Sequence, residues 1–205
     1  MKVLILYYSM YGNNFRMAQA IAEGVTEGGG EAVVRTVPEL IPAEVIAKDE
    51  RLKKAKDVQK DVPIATQDDL IACDGLILGS PTRFGNMCAQ MRNFWDRTSQ
   101  IWLKGQLIGK PAGVFTSTAS MHGGQETTLI SMIFTLIHHG MIIVGIPYSV
   151  EELLTTERGG TPYGASAVVG AMADQPPTEV DLKIGRILGK RVTEITGKLK
   201  GEKDI

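Results

Sequence analysis

Residues 2–14, Lys2-Val-Leu-Ile-Leu-Tyr-Tyr-Ser-Met-Tyr-Gly-Asn-Asn14, decide the fold. Val3 through Tyr8 form a near-continuous apolar run, short and rich in β-formers, which is how a strand buried on both faces reads. The run stops at a small polar loop with a glycine. Phe15, Met17, Ala18, Ile21, Ala22 and Val25 then recur at helical spacing. The unit is strand, tight loop, helix. In such a unit the first helical N–H groups point unpaired into the loop, and the positive end of the helix dipole adds to them. The loop from Ser9 through Asn14 is therefore a candidate phosphate site. Ser9 and Asn14 offer side-chain donors, and Gly12 lets the backbone approach a ligand closely. An ordinary strand-to-helix turn with an Asn cap accounts for the same residues, and this stretch alone does not choose between the two.

Outward from that unit, Glu27-Gly-Gly-Gly30 ends the first helix, and Ala32-Val-Val-Arg-Thr-Val37 reads as a second strand. Residues 38–65 are polar and charge-rich, with Lys48-Asp-Glu-Arg-Leu-Lys-Lys-Ala-Lys56 at their centre, and read as a solvated surface excursion. Thr66-Gln-Asp-Asp69 resembles a capping box opening a short helix over 68–72. Gly75-Leu-Ile-Leu-Gly-Ser80 is a third buried strand, ending in the loop Pro81-Thr-Arg-Phe-Gly-Asn86; a helix is expected over 87–97. Lys110-Pro-Ala-Gly-Val-Phe-Thr116 is a fourth strand with the exit loop Ser117-Thr-Ala-Ser-Met-His-Gly-Gly124. Residues 125–139 form a helix apolar nearly all round, hence buried or at a subunit contact. Met141-Ile-Ile-Val-Gly-Ile146 is the fifth strand, 147–174 are glycine-rich and irregular, and 177–199 close the chain as a helix.

Strand and helix alternate five times, which predicts an α/β fold: a parallel sheet with helices on both faces and right-handed connections. Ligands on such sheets bind beyond the C-terminal ends of the strands. The first, third and fourth strands all end there in loops rich in Gly, Ser and Thr, and that convergence is better evidence for a site than any one loop.

At 205 residues and 43% apolar composition the chain can bury a sizeable core. A formal net charge of -1 argues against a nucleic-acid partner, which needs clustered positive charge. Cys73 and Cys88 lack metal-ligand spacing and read as reduced thiols of a cytoplasmic protein. No signal sequence precedes the first strand, no apolar run approaches the ~20 residues that span a bilayer, and no metal ligand set stands out.

Tyr7-Tyr-Ser-Met-Tyr-Gly12, Gly79-Ser-Pro-Thr-Arg-Phe-Gly-Asn-Met87, Gly124-Gln-Glu-Thr127, His138-His-Gly-Met141 and Gly159-Gly-Thr-Pro-Tyr-Gly164 occur in order. With these motifs the chain closely resembles the WrbA family of NAD(P)H:quinone oxidoreductases over essentially its whole length. The resemblance implies one flavodoxin-like domain over 1–205, doubly wound on a five-stranded parallel sheet of order 2-1-3-4-5, with an added segment over 147–174 that is expected to contribute to tetramer contacts and to wall the active site. It implies FMN as cofactor, NADH or NADPH as electron donor, a small-molecule quinone as acceptor, and a homotetramer built as a dimer of dimers, without nucleic acid or membrane insertion.

Residue by residue, the resemblance puts the FMN phosphate in Ser9, Met10, Tyr11, Gly12, Asn13 and Asn14. Since that loop holds no Lys or Arg, backbone N–H groups and neutral side chains are expected to hold the phosphate. Pro81, Thr82, Arg83 and Phe84 match the loop beside the isoalloxazine, where Arg83 can stabilise negative charge on the reduced ring; a surface ion pair is the plainer role for Arg83. Ser117, Thr118, Ala119, Ser120, Met121, His122 and Gly123 match the third flavin loop, which is glycine-richer and a residue shorter in some members. Tyr11 and Trp102 match aromatic positions of the nicotinamide and quinone pocket, with core packing as the alternative. His138 matches a flavin-site histidine that lies near the ring of a neighbouring subunit, although a lone helical histidine is more often structural. His138 and Tyr11 are the candidate proton donors. The implied reaction is two-electron and ping-pong. Its rivals are a flavodoxin-type single-electron carrier, disfavoured by the near-neutral charge and the added segment, and a regulatory FMN-binding protein.

Overall fold

A computed structural model describes residues 1–201. In chain order the elements are β1 (Lys2–Tyr7), α1 (Asn13–Glu27), β2 (Glu31–Thr36), α2 (Ala43–Ile46), α3 (Glu50–Asp57), α4 (Gln67–Ala72), β3 (Gly75–Arg83), β4 (Asn86–Met87), α5 (Ala89–Asp96), α6 (Ser99–Leu103), β5 (Pro111–Thr118), α7 (Gln125–His138), β6 (Ile142–Ile143), α8 (Glu152–Thr155), β7 (Ala165–Val168) and α9 (Glu179–Gly201).

The strands run β2-β1-β3-β5-β6, parallel throughout, with β7 on the same edge of β5 as a further parallel partner. The expected order is thus reproduced, but with seven strands where five were expected. One extra strand is β4, a short antiparallel return on the end of β3, where Thr82 pairs with Met87. The other arises because the fifth strand is in two pieces. β6 pairs with Pro111 and Ala112 at one end of β5, the chain leaves the sheet, and β7 returns to pair with Phe115 through Thr118 at the other end. The segment expected to be irregular therefore contains a buried strand, Ala165-Ser-Ala-Val168.

Alternation along each strand builds two core layers, as a sheet covered on both faces requires. Leu4, Leu6, Leu76, Leu78 and Val114 pack with Met91, Phe94 and Trp95 of α5 and Leu129, Met132 and Leu136 of α7. Val3, Ile5, Tyr7, Ile77 and Phe115 pack with Met17, Ile21 and Val25 of α1 and Ile184, Leu188 and Val192 of α9. The capping box read at Thr66 and Asp69 is present at the start of α4.

The adjacent histidines that end α7 separate by direction, since neighbouring helical positions face apart. His139 is buried, with its ring tilted 5.1 Å from Trp95 and Nε2 3.0 Å from the Thr98 hydroxyl. Burial holds its imidazole below the ordinary value, and His138 beside it adds to the effect. A base depressed in the fold is neutral there, while the unfolded chain binds a proton below about pH 6.5. Stability is therefore expected to fall as pH is lowered from about 6.5 toward the depressed folded value. Urea melts between pH 7 and 5 check this: His139→Gln, which cannot protonate, should flatten the slope, and an unchanged slope would refute the assignment.

Candidate functional site

The C-terminal edge of the sheet gathers the ends of β1, β3 and β5. Ser9, Met10, Tyr11, Asn13 and Asn14 follow β1, Pro81, Thr82 and Arg83 end β3, and Ser117, Thr118 and Ala119 end β5; together they line a cleft of about 150 Å³. A fourth wall, Val169, Gly170, Ala171 and Ala173, follows β7 and completes it.

Gly12 is the N-cap of α1, in the left-handed region at φ 87°, and no side chain caps the helix. A Cβ on Gly12 would meet no atom within 4 Å. Because no side chain caps α1, its first N–H groups are left for an anion, although Gly12 itself is not part of the cleft lining. The asparagine side chains are spent on shaping this loop. Asn14 Nδ2 donates to the Tyr8 carbonyl at 3.2 Å, and Asn13 Nδ2 donates across the cleft to the Ala173 carbonyl at 3.1 Å. Asn14 therefore contributes through its place in the first turn, rather than as the free side-chain donor expected from sequence. Open N–H groups over a glycine fit the phosphate of FMN.

Arg83 lies at the cleft with its guanidinium donating to the Thr82 carbonyl at 2.8 Å and contacting Met10 Sδ at 3.0 Å. Among the described residues it makes no ion pair with a carboxylate, so its charge faces the cleft uncompensated. The Thr82 hydroxyl accepts from the Gly85 N–H and from Thr128 Oγ1, fixing the turn to α7. Phe84, expected in the same loop, stands fully exposed at φ 52° and outside the cleft lining.

The third loop divides. Ser117, Thr118 and Ala119 line the cleft, while Ser120, Met121, His122 and Gly123 form a turn beyond it. That turn is tied down by Thr118 Oγ1 donating to the Ser120 carbonyl and Gln125 Nε2 donating to the Met121 carbonyl. Tyr11 lines the cleft with the Arg51 guanidinium over its ring, 5.3 Å from the centroid.

His138 and Trp102 lie elsewhere in this chain. α7 starts beside the cleft and ends at His138, one helix length of roughly 20 Å away. Trp102 on α6 is near that far end, because Thr98, just before α6, bonds His139. His138 instead lines a larger hollow of about 850 Å³ along α7, with Trp95, Phe134 and Tyr163. No group of three or more His, Cys, Asp or Glu that could hold a metal occurs among the described residues. No described helix is long and apolar enough to cross a membrane.

The segment over 147–174 was expected to wall the site, and Val169, Gly170, Ala171 and Ala173 line the cleft. Sequence reasoning missed β7, which leads into that wall, and the contacts that the 38–65 excursion makes with the loop at Ser9. The first had a signal: Val168-Val-Gly170 repeats the apolar-run-then-glycine ending of the other strands. The second had none, because those contacts are tertiary.

Residues 1–152 match the family described as NADPH-dependent FMN reductase. A protein of Geobacter metallireducens named NAD(P)H dehydrogenase (quinone) is 48% identical over 204 residues, covering 98% of this chain and 100% of that protein. One of the same name from Trichlorobacter lovleyi is 49% identical over 201 residues, covering 97% and 98%. Among solved structures, a flavodoxin, WrbA-like protein from Agrobacterium tumefaciens superposes with TM-score 0.64 at 23% identity, covering 96% of this chain and 98% of that one. Flavodoxin 2 from Bacillus cereus superposes with TM-score 0.63 at 20% identity, covering 95% and 99%. The two structural likenesses establish the flavodoxin-like fold, and the family match together with near-half identity along the full length shows that this chain belongs to the NADPH-dependent FMN reductase family, among its NAD(P)H dehydrogenases (quinone).

Proposed function

We propose that the protein catalyses FMN-dependent two-electron reduction of quinones to hydroquinones by NADH or NADPH, with both substrates using one place at the cleft in turn. The observation that carries this reading is the convergence of the phosphate-type loop, the Arg83 guanidinium and the end of β5 on one cleft. Bound FMN supplies the redox chemistry: hydride acceptance from the nicotinamide and electron return to the quinone. The chain's own residues bind, orient and neutralise. The first N–H groups of α1 hold the phosphate, and Arg83 offsets negative charge at the ring edge. Ser117 through Ala119 border the ring with small groups, and Tyr11 walls the substrate side and is a candidate proton donor.

The cleft is smaller than the roughly 300–1,000 Å³ of a complete small-molecule site. A cleft of that size would hold part of the cofactor and would need a further wall for the rest. A homotetramer supplies that wall in our reading, with His138 and Trp102 reaching a neighbouring subunit's flavin and the segment over 147–174 contributing to the contacts. Exposed Phe134 and Ile137 on α7 and exposed Phe84 by the cleft support such a contact. Unpaired Cys73 and Cys88 are compatible with a cytoplasmic protein.

The test is anaerobic stopped flow on FMN-loaded protein. Mixing with excess NADH or NADPH should bleach the yellow flavin band within the dead time or shortly after, and benzoquinone should restore it. Steady-state rates at varied donor and quinone should give parallel double-reciprocal lines. Intersecting lines would exclude the shared place, and flavin that stays yellow with both donors would favour the electron-carrier reading. Light scattering giving the mass of a monomer at assay concentration would exclude the tetramer.

A further inference from the structure

The charge-rich stretch 48–59 lies against the phosphate loop. Asp49 caps α3, accepting the N–H groups of Arg51 and Leu52 at 2.9 and 3.3 Å, and Leu52 and Ala55 are buried beneath it. From the other end of the helix, Lys56 Nζ and Gln59 Nε2 both donate to the Ser9 carbonyl, at 3.3 and 3.4 Å. Arg51 covers the Tyr11 ring and donates to the Met172 carbonyl at 3.2 Å. α3 therefore straps the loop from Ser9 to Tyr11 and joins it to the fourth wall of the cleft.

This strap brings two cations to a loop that has none of its own. They differ in commitment. Lys56 is answered by Glu39 at 2.5 Å and packed 4.6 Å over the Tyr8 ring. Among the described residues Arg51 has one carboxylate partner, Asp49, 3.5 Å away, and that carboxylate also serves the helix cap; the Arg51 side chain is half exposed. Its guanidinium is held on the wall of the phosphate loop by the Tyr11 face and the Met172 carbonyl.

We propose that Arg51 supplies the positive charge that the phosphate loop lacks, and so sets the preference of this protein for a phosphorylated flavin over an unphosphorylated one. The proposal rests on the reading that the loop from Ser9 through Asn14 takes the FMN phosphate. That phosphate carries about 1.5 to 2 negative charges near pH 7. The donors that would touch it are neutral, so a cation within a Debye length acts on it without direct contact. Arg51 is a positioning and charge-compensating residue; riboflavin, which has the same ring and ribityl chain but no phosphate, does not feel it.

The test uses full-length protein stripped of flavin and titrated with FMN and with riboflavin by fluorescence quenching, at low salt and at ~0.3 M salt. Wild type should bind FMN much more tightly than riboflavin. Arg51→Met keeps an unbranched side chain but removes the charge. It should weaken FMN about tenfold and riboflavin less than twofold, with the FMN loss shrinking at high salt. Arg51→Lys should retain most of the FMN affinity. Equal loss for both flavins would make Arg51 a mechanical brace and overturn the proposal, as would no loss for either. Wild type that binds FMN no better than riboflavin would instead overturn the phosphate-loop reading itself, and the proposal with it.

Discussion

Gly12→Val is expected to weaken FMN binding by about a hundredfold or more while leaving the protein folded. Two effects are separate. Gly12 sits at φ 87°, where a β-branched residue is strained by about 1–2 kcal/mol, which lowers stability with or without FMN. A valine would also reshape the loop that leads into the first N–H groups of α1, where the phosphate is to be received, and only this effect acts on affinity. A hundredfold loss of affinity corresponds to about 2.7 kcal/mol. Gly29 separates the two effects. It has a φ of 79° and, like Gly12, nothing within 4 Å of its missing Cβ, but it lies past the far end of α1. Gly29→Val should lose similar stability and keep its FMN affinity. The measurement is FMN titration of both stripped variants, with thermal melts with and without FMN. Gly12→Val that binds FMN as wild type does would remove the phosphate from this loop.

What was legible in the sequence is what is local or repeats along the chain. β1, the loop and α1 were readable because a continuous apolar run gives way within a few residues to a 3.6-residue period. The cleft was readable because a parallel sheet puts every strand's C-terminal end on one edge, so three glycine- and serine-rich loops had to meet. β7 was missed because Ala165-Ser-Ala-Val168 is short and built of small residues within a glycine-rich stretch; only pairing with β5 makes it a strand. The 48–59 strap was missed for a related reason. Of its helix only Leu52 and Ala55 are buried, so its composition is that of a solvated face, and Arg51, Lys56 and Gln59 acquire meaning only from what they touch. Phe84, His138 and Trp102 mark the remaining boundary. Their positions follow from the fold, but a role for them at a flavin needs surface that one chain does not provide.

Gly24→Ala should destabilise the protein by about 3 kcal/mol, although alanine is intrinsically the better helix former by about 1 kcal/mol. α1 and α9 meet backbone to backbone. A Cβ on Gly24 would fall 1.9 Å from the Arg186 carbonyl oxygen, and one on Gly189 would fall 2.2 Å from the Ile21 carbonyl oxygen. Neither obstacle is a flexible side-chain end, so the helices must separate, loosening Ile21 and Val25 against Ile184, Leu188 and Val192. For a chain of this size about 3 kcal/mol corresponds to a melting temperature lowered by roughly 6–12 °C. Gly185 gives the opposite sign. It lies on the same face of α9, but its Cβ would find Ile21 Cγ1 at an ordinary 3.4 Å, so Gly185→Ala should be neutral or stabilising. The contrast reaches the site, because the N-terminus of α1 is the phosphate loop: a helix pushed off α9 at Gly24 changes the direction in which its first N–H groups point. FMN affinity should therefore fall in Gly24→Ala and hold in Gly185→Ala. Equal melting temperatures for the two variants would show that α1 yields without cost and that its contact with α9 does not set the geometry of the loop.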